Sequence, residues 1–517
     1  MGCFTSRPSK PAHSSSSSSS PPSPKSSPPP TTITSKEQAL SPAVQALSKS
    51  NLVLLHPSTS EYEARQSSYW SSSAKQLSPS CIIQPRNAGE VGKALRILTT
   101  TKTSFAIRSG GHMQWAGANS IGPHGVTIDL GLLSWTRYDA ASDTVDLGPG
   151  GVWRDVYHEL HSHGRVVAGG REGNVGVAGL ILGGGNTFFT PRAGFACDNV
   201  VEFEVVLADG SVVTADGKGE NADLFWALKG GGNNFGIVTN FKMKTFVTGQ
   251  IWAGLTFYPK QVTQPAAQAL VEFTDGMESD PDSNLLCFFA YTPQFKDVGI
   301  ATMSVQVAGV EKAPAYDKWL ALPSIMTTCK MTTVPELVSD PANNLPRQYH
   351  DIWFTASFKN DVRIIAKAAE LHEAMVDEFK AFIPDGDFWT QCLFQPLPTL
   401  FGRRSAEAGG NTMGVERQKH NGVLFQAAAM VRTPEQEAFA YPKVRDWIAA
   451  VREFAATIED GNLEWVYLNY SDRSQNPLGS YGLENVGRLA KIAAKYDPEG
   501  VFQKLCPGGF KISAANI

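Results

Sequence analysis

The sequence has no stretch approaching the roughly 20 apolar residues that a membrane-spanning helix needs, and its amino end lacks the apolar centre of a secretory signal. It contains no GxGxxG, which leaves a Rossmann dinucleotide site unsupported, and no GxxxxGK[ST] phosphate loop. Seven cysteines are scattered with no CxxC pair and no His/Cys cluster at zinc spacing. That predicts a reduced, cytoplasmic setting, no structural disulfide and no metal. Charge is nearly balanced at −4 over 517 residues, so no nucleic-acid partner is expected. No internal repeat is present, and the lone Asn469-Tyr470-Ser471 triplet is not expected to carry a sugar.

What is present divides along the chain. Residues 7–35 are serine and proline with almost nothing to bury, so residues 1–35 are expected to be a disordered tail. From about residue 60 to 246, short β-rich runs alternate with glycine clusters. Val201, Phe203, Val205 and Leu207 alternate with Glu202 and Glu204 before the Asp209-Gly210 turn, which predicts a hairpin with one buried face. Beyond 250, alternating runs (251–258, 285–291, 301–307) are followed by helical patterns at 364–382 and 444–454, the signature of an antiparallel sheet with helices on one face. A last helix carries Leu489, Ile492, Ala493 and Tyr496 on one side and stops at Asp497-Pro498.

Glycine is concentrated in four places: Arg108-Ser109-Gly110-Gly111-His112, residues 173–179, Gly183-Gly184-Gly185 and residues 230–236. Bare backbone can approach a ligand closely, and successive N–H groups can cradle a pyrophosphate. Each cluster alone reads as tight turns; their order and spacing together are more specific. One decoy is His158-Glu159-Leu160-His161-Ser162-His163, whose first two histidines are three apart, one short of HExxH spacing. It reads as the solvated end of a short helix stopped at Gly164.

The motifs RSGGHMQWAGAN (108–119), GGREGNVGVAGLILGGG (169–185), DLFWALKGGGNNFGIVT (223–239), YLNYSD (467–472) and SYGLENVGRLAKIAAKYDPEGVF (480–502) occur in one order. Through them the chain resembles the berberine-bridge-enzyme-like FAD-linked oxidases of the vanillyl-alcohol-oxidase / PCMH-type superfamily, in wording closest to fungal members that tailor secondary metabolites. The resemblance implies an α+β fold: a PCMH-type FAD-binding domain (36–248), a substrate domain of antiparallel sheet covered by helices (249–470), and a segment returning to the FAD domain (471–517). It implies FAD as cofactor, bonded through its 8α carbon to His112. It also implies FAD contacts from Arg108, Ser109, Gly110, Gly111, Gly173, Asn174, Val175, Gly176, Ala178, Gly179, Gly183, Gly236, Ile237, Val238 and, from the closing segment, Asn485. Ala178 stands where the family usually has glycine. Relatives with a second, cysteinyl bond to the flavin carry that cysteine at the position of Glu172, so no second link is expected here.

The roof over the flavin is less decisive. If residues 464–470 form a strand, Tyr467 and Asn469 share one face and Tyr470 takes the other. A tyrosine facing the flavin could remove a substrate proton as hydride leaves; these rings could equally be core aromatics. Gln391 and Gln395 share one face of an apparent strand and are candidates for orienting substrate, or for satisfying backbone. The implied function is an oxidase that passes hydride from a small metabolite to FAD, with dioxygen returning the flavin to its oxidised form and giving H2O2. A flavin dehydrogenase, an oxidative cyclase or a non-catalytic metabolite carrier are the alternatives. Met1-Gly2-Cys3-Phe4-Thr5-Ser6 fits M-G-x-x-x-[ST], so acylation of Gly2 and Cys3 with membrane association stands beside the preferred plain tail.

Overall fold

The computed structural model describes residues 41–343 and 345–515; the expected tail and the Gly2/Cys3 acylation site lie outside them. Three sheets position the site. The first orders Val53–Leu55, Cys81–Gln84, Val126–Asp129 and Phe105–Arg108; its last two pairings are parallel. Parallel neighbours need a crossover, and helix Ala88–Thr100 supplies it, started by the Asn87 side chain accepting the Glu90 N–H at 2.9 Å. Phe105–Arg108 then ends where the Ser109–His112 loop begins, so a βα unit delivers the histidine without a Rossmann fingerprint.

The second sheet is antiparallel, in the order Thr136–Asp139, Thr144–Leu147, Ile237–Lys244, Val200–Val206 and Val212–Asp216. The expected hairpin is its Val200–Val206/Val212–Asp216 edge, and the central strand starts directly after Gly236. The third sheet has nine antiparallel strands; its middle runs Val298–Gln306, Ser283–Tyr291, Trp389–Leu397, Gly422–Val431 and His350–Lys359.

Period-2 alternation divides this third sheet into two faces. Phe394 and Phe425 pack towards Trp447 of helix Pro434–Ala455, beside helices Thr263–Gly276 and Val362–Phe382. The residues between them in register, Phe288, Leu393 and Gln426, face the other way, over the glycine-rich loops. On the helix side His372 is fully buried and shares a 2.7 Å hydrogen bond with the Thr390 hydroxyl; burial drives its imidazole down to about 3, so it stays neutral.

Two expectations meet different outcomes. The 153–161 helix forms with Trp153, Val156, Tyr157 and Leu160 buried; His158 and His161 are exposed, as read, and Gly164 closes it at φ +66°. Residues 464–470 are not a strand. Only Asn462–Leu463 pairs, at the sheet edge, and Leu468–Tyr470 is one tight 3-10 turn closed by the Tyr470 N–H to the Tyr467 carbonyl at 3.1 Å. Among the described residues no strand lies beyond that edge to pair with, and the backbone satisfies itself locally. Tyr467 and Tyr470, three residues apart, therefore meet edge to face at 4.8 Å instead of pointing to opposite sides.

Asp351, in strand His350–Lys359, is buried with neither carboxylate oxygen in a well-formed hydrogen bond. Burial pushes its acid well above the usual carboxylate range, and the Glu437 charge adds to that. Above about pH 4 the unfolded chain gives up this proton and the folded chain retains it, so stability falls as pH rises towards the folded-state value. Asp351→Asn should consequently gain Tm over the wild type by an amount that grows from mildly acid to neutral pH. Thermal melts across that range check it; a pH-independent difference would refute it.

Candidate active site

Between the glycine-rich loops and the cavity face of the large sheet lies a cavity of about 350 Å³. Its floor begins where two loops cross. A Cβ on Gly110 would sit 2.6 Å from the Gly176 Cα, and one on Gly176 would sit 2.5 Å from the Gly110 nitrogen. Only two glycines allow this approach. Arg108 props the crossing from behind and does not line the cavity. Its side chain is 1% exposed, donates to the Arg65 carbonyl at 2.6 Å and the Ser68 hydroxyl at 2.7 Å, and lies 3.7 Å over the Tyr69 ring. The buried carboxylate of Asp129 pairs with Arg65 and lies 3.8 Å from Arg108.

Ser109, Gly110, Gly111, His112, Val175, Gly176, Ala178, Gly179, Gly183, Gly236, Ile237 and Val238 all line the cavity, as does Gln391 from the roof. Three other expected cofactor contacts stand back from it. Gly173 packs on the Val338 carbonyl. Asn174 donates to Glu172 Oε1 at 2.8 Å. Asn485 donates to the Thr412 carbonyl at 3.1 Å and ties the last long helix to the 411–414 loop. Gln395 lies behind the lining and bonds to Arg171, Asn186 and Tyr470.

His112 is held on two sides. The Trp70 ring stacks on it at 4.4 Å and 8°, and the Trp70 backbone N–H donates to the Gly111 carbonyl at 3.1 Å. Its Nε2 lies 3.1 Å from Glu172 Oε2, without the alignment of a hydrogen bond. Burial raises the Glu172 carboxyl, but His112 and Asn174 outweigh that and hold it below the usual carboxylate range.

Across the cavity the YLNYSD turn contributes three side chains. The Tyr467 hydroxyl accepts the Asn186 backbone N–H at 2.8 Å and the Asn469 side-chain N–H at 3.1 Å; Asn469 also donates to the Leu180 carbonyl at 3.1 Å. Tyr467 is 2% exposed, and burial first, then neighbouring Tyr470, pushes its phenol well above the ordinary value. Tyr470 is half-buried and its oxygen accepts from Arg171 Nη2 at 3.1 Å and Gln395 Nε2 at 3.3 Å. Arg171, Asn186, Trp70, Trp353 and Gln426 were missed from sequence. Arg171 alone had a signal, a cation set beside an acid inside a loop otherwise of small and apolar residues.

The site fits a flavin dinucleotide. Asn119 Oδ1, Asn186 Oδ1, Gln426 Nε2 and Trp353 Nε1 belong to cavity-lining residues and are buried polar atoms with no hydrogen-bond partner, a costly state that a polar ligand relieves. A Cβ added to Gly179 would meet nothing within 4 Å. The loops that line the floor overlap the 79–216 match to a family profile described as "FAD binding domain", and a second profile, "Berberine and berberine like", matches 466–504. Fold and site thus define an FAD-dependent oxidoreductase acting on a small molecule. The FAD-dependent monooxygenase drtC of Aspergillus calidoustus is 39% identical over 462 residues, 88% of this chain and 87% of its own length. The chain belongs to the berberine-bridge-enzyme-like family of FAD-dependent oxidoreductases. In fold it is similar to 6-hydroxy-D-nicotine oxidase from Arthrobacter nicotinovorans (TM-score 0.71, 22% identity, covering 88% of this chain and 97% of that one). It is likewise similar to glucooligosaccharide oxidase from Acremonium strictum, described with a 6-S-cysteinyl, 8α-N1-histidyl FAD (TM-score 0.69, 18% identity, covering 92% and 99%). The acylation of Gly2 and Cys3 gains no support from these comparisons.

Gly176→Ala forces a methyl group against the backbone of Gly110. It should cost about 1–3 kcal/mol, the usual range for overpacking, and lower the flavin carried per chain. Visible absorbance and a thermal melt of the purified variant check both; full flavin content at wild-type Tm would contradict the crossing.

Proposed function

We propose that the protein oxidises a small secondary metabolite by hydride transfer to FAD attached to His112, with Tyr470 as the base. FAD bound there would supply the two-electron acceptor, with dioxygen as the final oxidant and H2O2 as its product. The observation that carries the reading is the pair of donors on the Tyr470 oxygen, Arg171 and Gln395, at the rim of the cavity that also exposes His112. A cation and an amide aimed at one phenol oxygen orient that oxygen and favour negative charge on it in a proton-transfer step. Tyr467 is unsuited to that step, since burial holds its proton on; its hydroxyl fixes Asn186 and Asn469. Leu286, Phe288, Met303 and Leu393 supply an apolar ceiling, and Gln391 and Gln426 supply polar contacts that fix orientation. The His112 attachment is supported by the RSGGH loop and by the place of this histidine at the cavity wall.

A monooxygenase outcome has a specific support, the activity in the name of the Aspergillus relative. Turnover under 18O2 separates the two: label in peroxide with none in product fits the oxidase, label in product fits oxygen insertion.

Tyr470→Phe should lower the rate of flavin bleaching by substrate about 100-fold or more, within the range that a positioned base contributes, and leave flavin content unchanged. Stopped-flow absorbance on a substrate found by screening metabolites for peroxide release measures it. Tyr467→Phe should slow bleaching far less, and the reverse order would remove Tyr470 from the role. Fluorescent flavin should stay with the acid-precipitated wild-type chain and wash out of His112→Ala; loss from the wild type would end the covalent reading.

A further inference from the structure

Beside the crossing of the glycine-rich loops, the acid Glu172 is turned on His112. Glu172 Oε2 lies 3.1 Å from His112 Nε2, both side chains are mostly buried, at 15% and 12% exposure, and neither atom has a hydrogen-bond partner. The other oxygen of Glu172 is engaged by Asn174 at 2.8 Å, which fixes the carboxylate's rotation. Trp70, stacked within 8° of the imidazole plane, limits the ring to small movements in its own plane. The separation is already a hydrogen-bonding distance, and an in-plane rotation of the imidazole is what would align Nε2–H with Oε2. A carboxylate accepts and cannot donate, so it selects the tautomer with the proton on Nε2. The lone pair of Nδ1 is then free.

We propose that Glu172 is the positioning residue for cofactor attachment: it holds the His112 proton on Nε2 and receives it as Nδ1 bonds, so that the histidyl link forms through Nδ1. The inference rests on the His112 attachment proposed above. In the net attachment an imidazole N–H bond and a C–H bond of the flavin 8α methyl are broken and one N–C bond forms. The two electrons and two protons leave to dioxygen as hydrogen peroxide. The acid has a second effect. An imidazole whose proton is shared with a buried carboxylate is a stronger nucleophile than one facing an apolar wall, as in other carboxylate–histidine pairs.

The test uses the full chain purified without flavin, mixed with FAD in air, and sampled for flavin that survives acid precipitation, so the readout is attachment and not turnover. Glu172→Gln presents an amide whose N–H can donate to Nε2 and drive the proton onto Nδ1. Its attachment rate should fall about 100-fold or more, with non-covalent FAD binding retained. Glu172→Ala should be equally slow, and added formate should speed it, since a small carboxylate fits where the side chain was removed. NMR of the flavin peptide from the wild type should show the bond on Nδ1.

Attachment in Glu172→Gln at the wild-type rate, a Glu172→Ala variant that stays slow in formate, or a bond through Nε2 would each overturn the proposal with the His112 reading left standing. Wild-type protein that retains no flavin after acid would overturn both at once.

Discussion

The crossing of the 108–112 and 173–179 loops is the constraint on which the site depends. Two chain segments far apart in sequence pass so closely that the β-carbon of either Gly110 or Gly176 would overlap the other's backbone. The same region brings His112, two residues past Gly110, and Glu172, four residues before Gly176, to 3.1 Å. The rest of the flavin-binding half supports it. Arg108, Arg65 and Asp129 form a buried charged brace under the first loop, and hydrogen bonds from the Trp153, Arg154 and Val177 backbones hold the second. A brace of charges is expensive to bury unless fully paired, and here it fixes the strand end that presents the histidine.

Above that floor, neighbouring residues diverge in chemistry because their burial and partners differ. Arg171 and Glu172 are consecutive, yet the cation reaches the roof at Tyr470 and Gln395 while the anion turns back to His112. Tyr467 and Tyr470 sit in one turn, yet one is sealed against Asn186 and the other stands at the rim with a cation on its oxygen. The cavity thus turns its acid towards His112 and its cation towards Tyr470 and Gln395, and lines the remainder with apolar side chains and amides.

The sequence by itself determined the elements with strong periodicity and the loops with unusual composition. Strand 251–258, the 200–216 hairpin and helices 362–382 and 483–496 follow from local patterning, since burial on one face imposes a period of 2 or 3.6 whatever the element packs against. The glycine clusters were legible for a similar reason: glycine is disfavoured elsewhere, so its density marks close approach. Residues 464–470 failed that test. They are rich in aromatic and β-branched side chains like a strand, but whether a segment extends depends on a partner strand, and the sheet ends beside them. The partners of functional side chains lie further still from any local signal. Trp70 on His112, Asn186 on Tyr467 and Gln395 on Tyr470 join residues from 42 to 281 positions apart. Only the tertiary fold decided which tyrosine is sealed and which is at the rim, and which carboxylate meets the histidine, because burial and hydrogen-bond partners are properties of the packed chain.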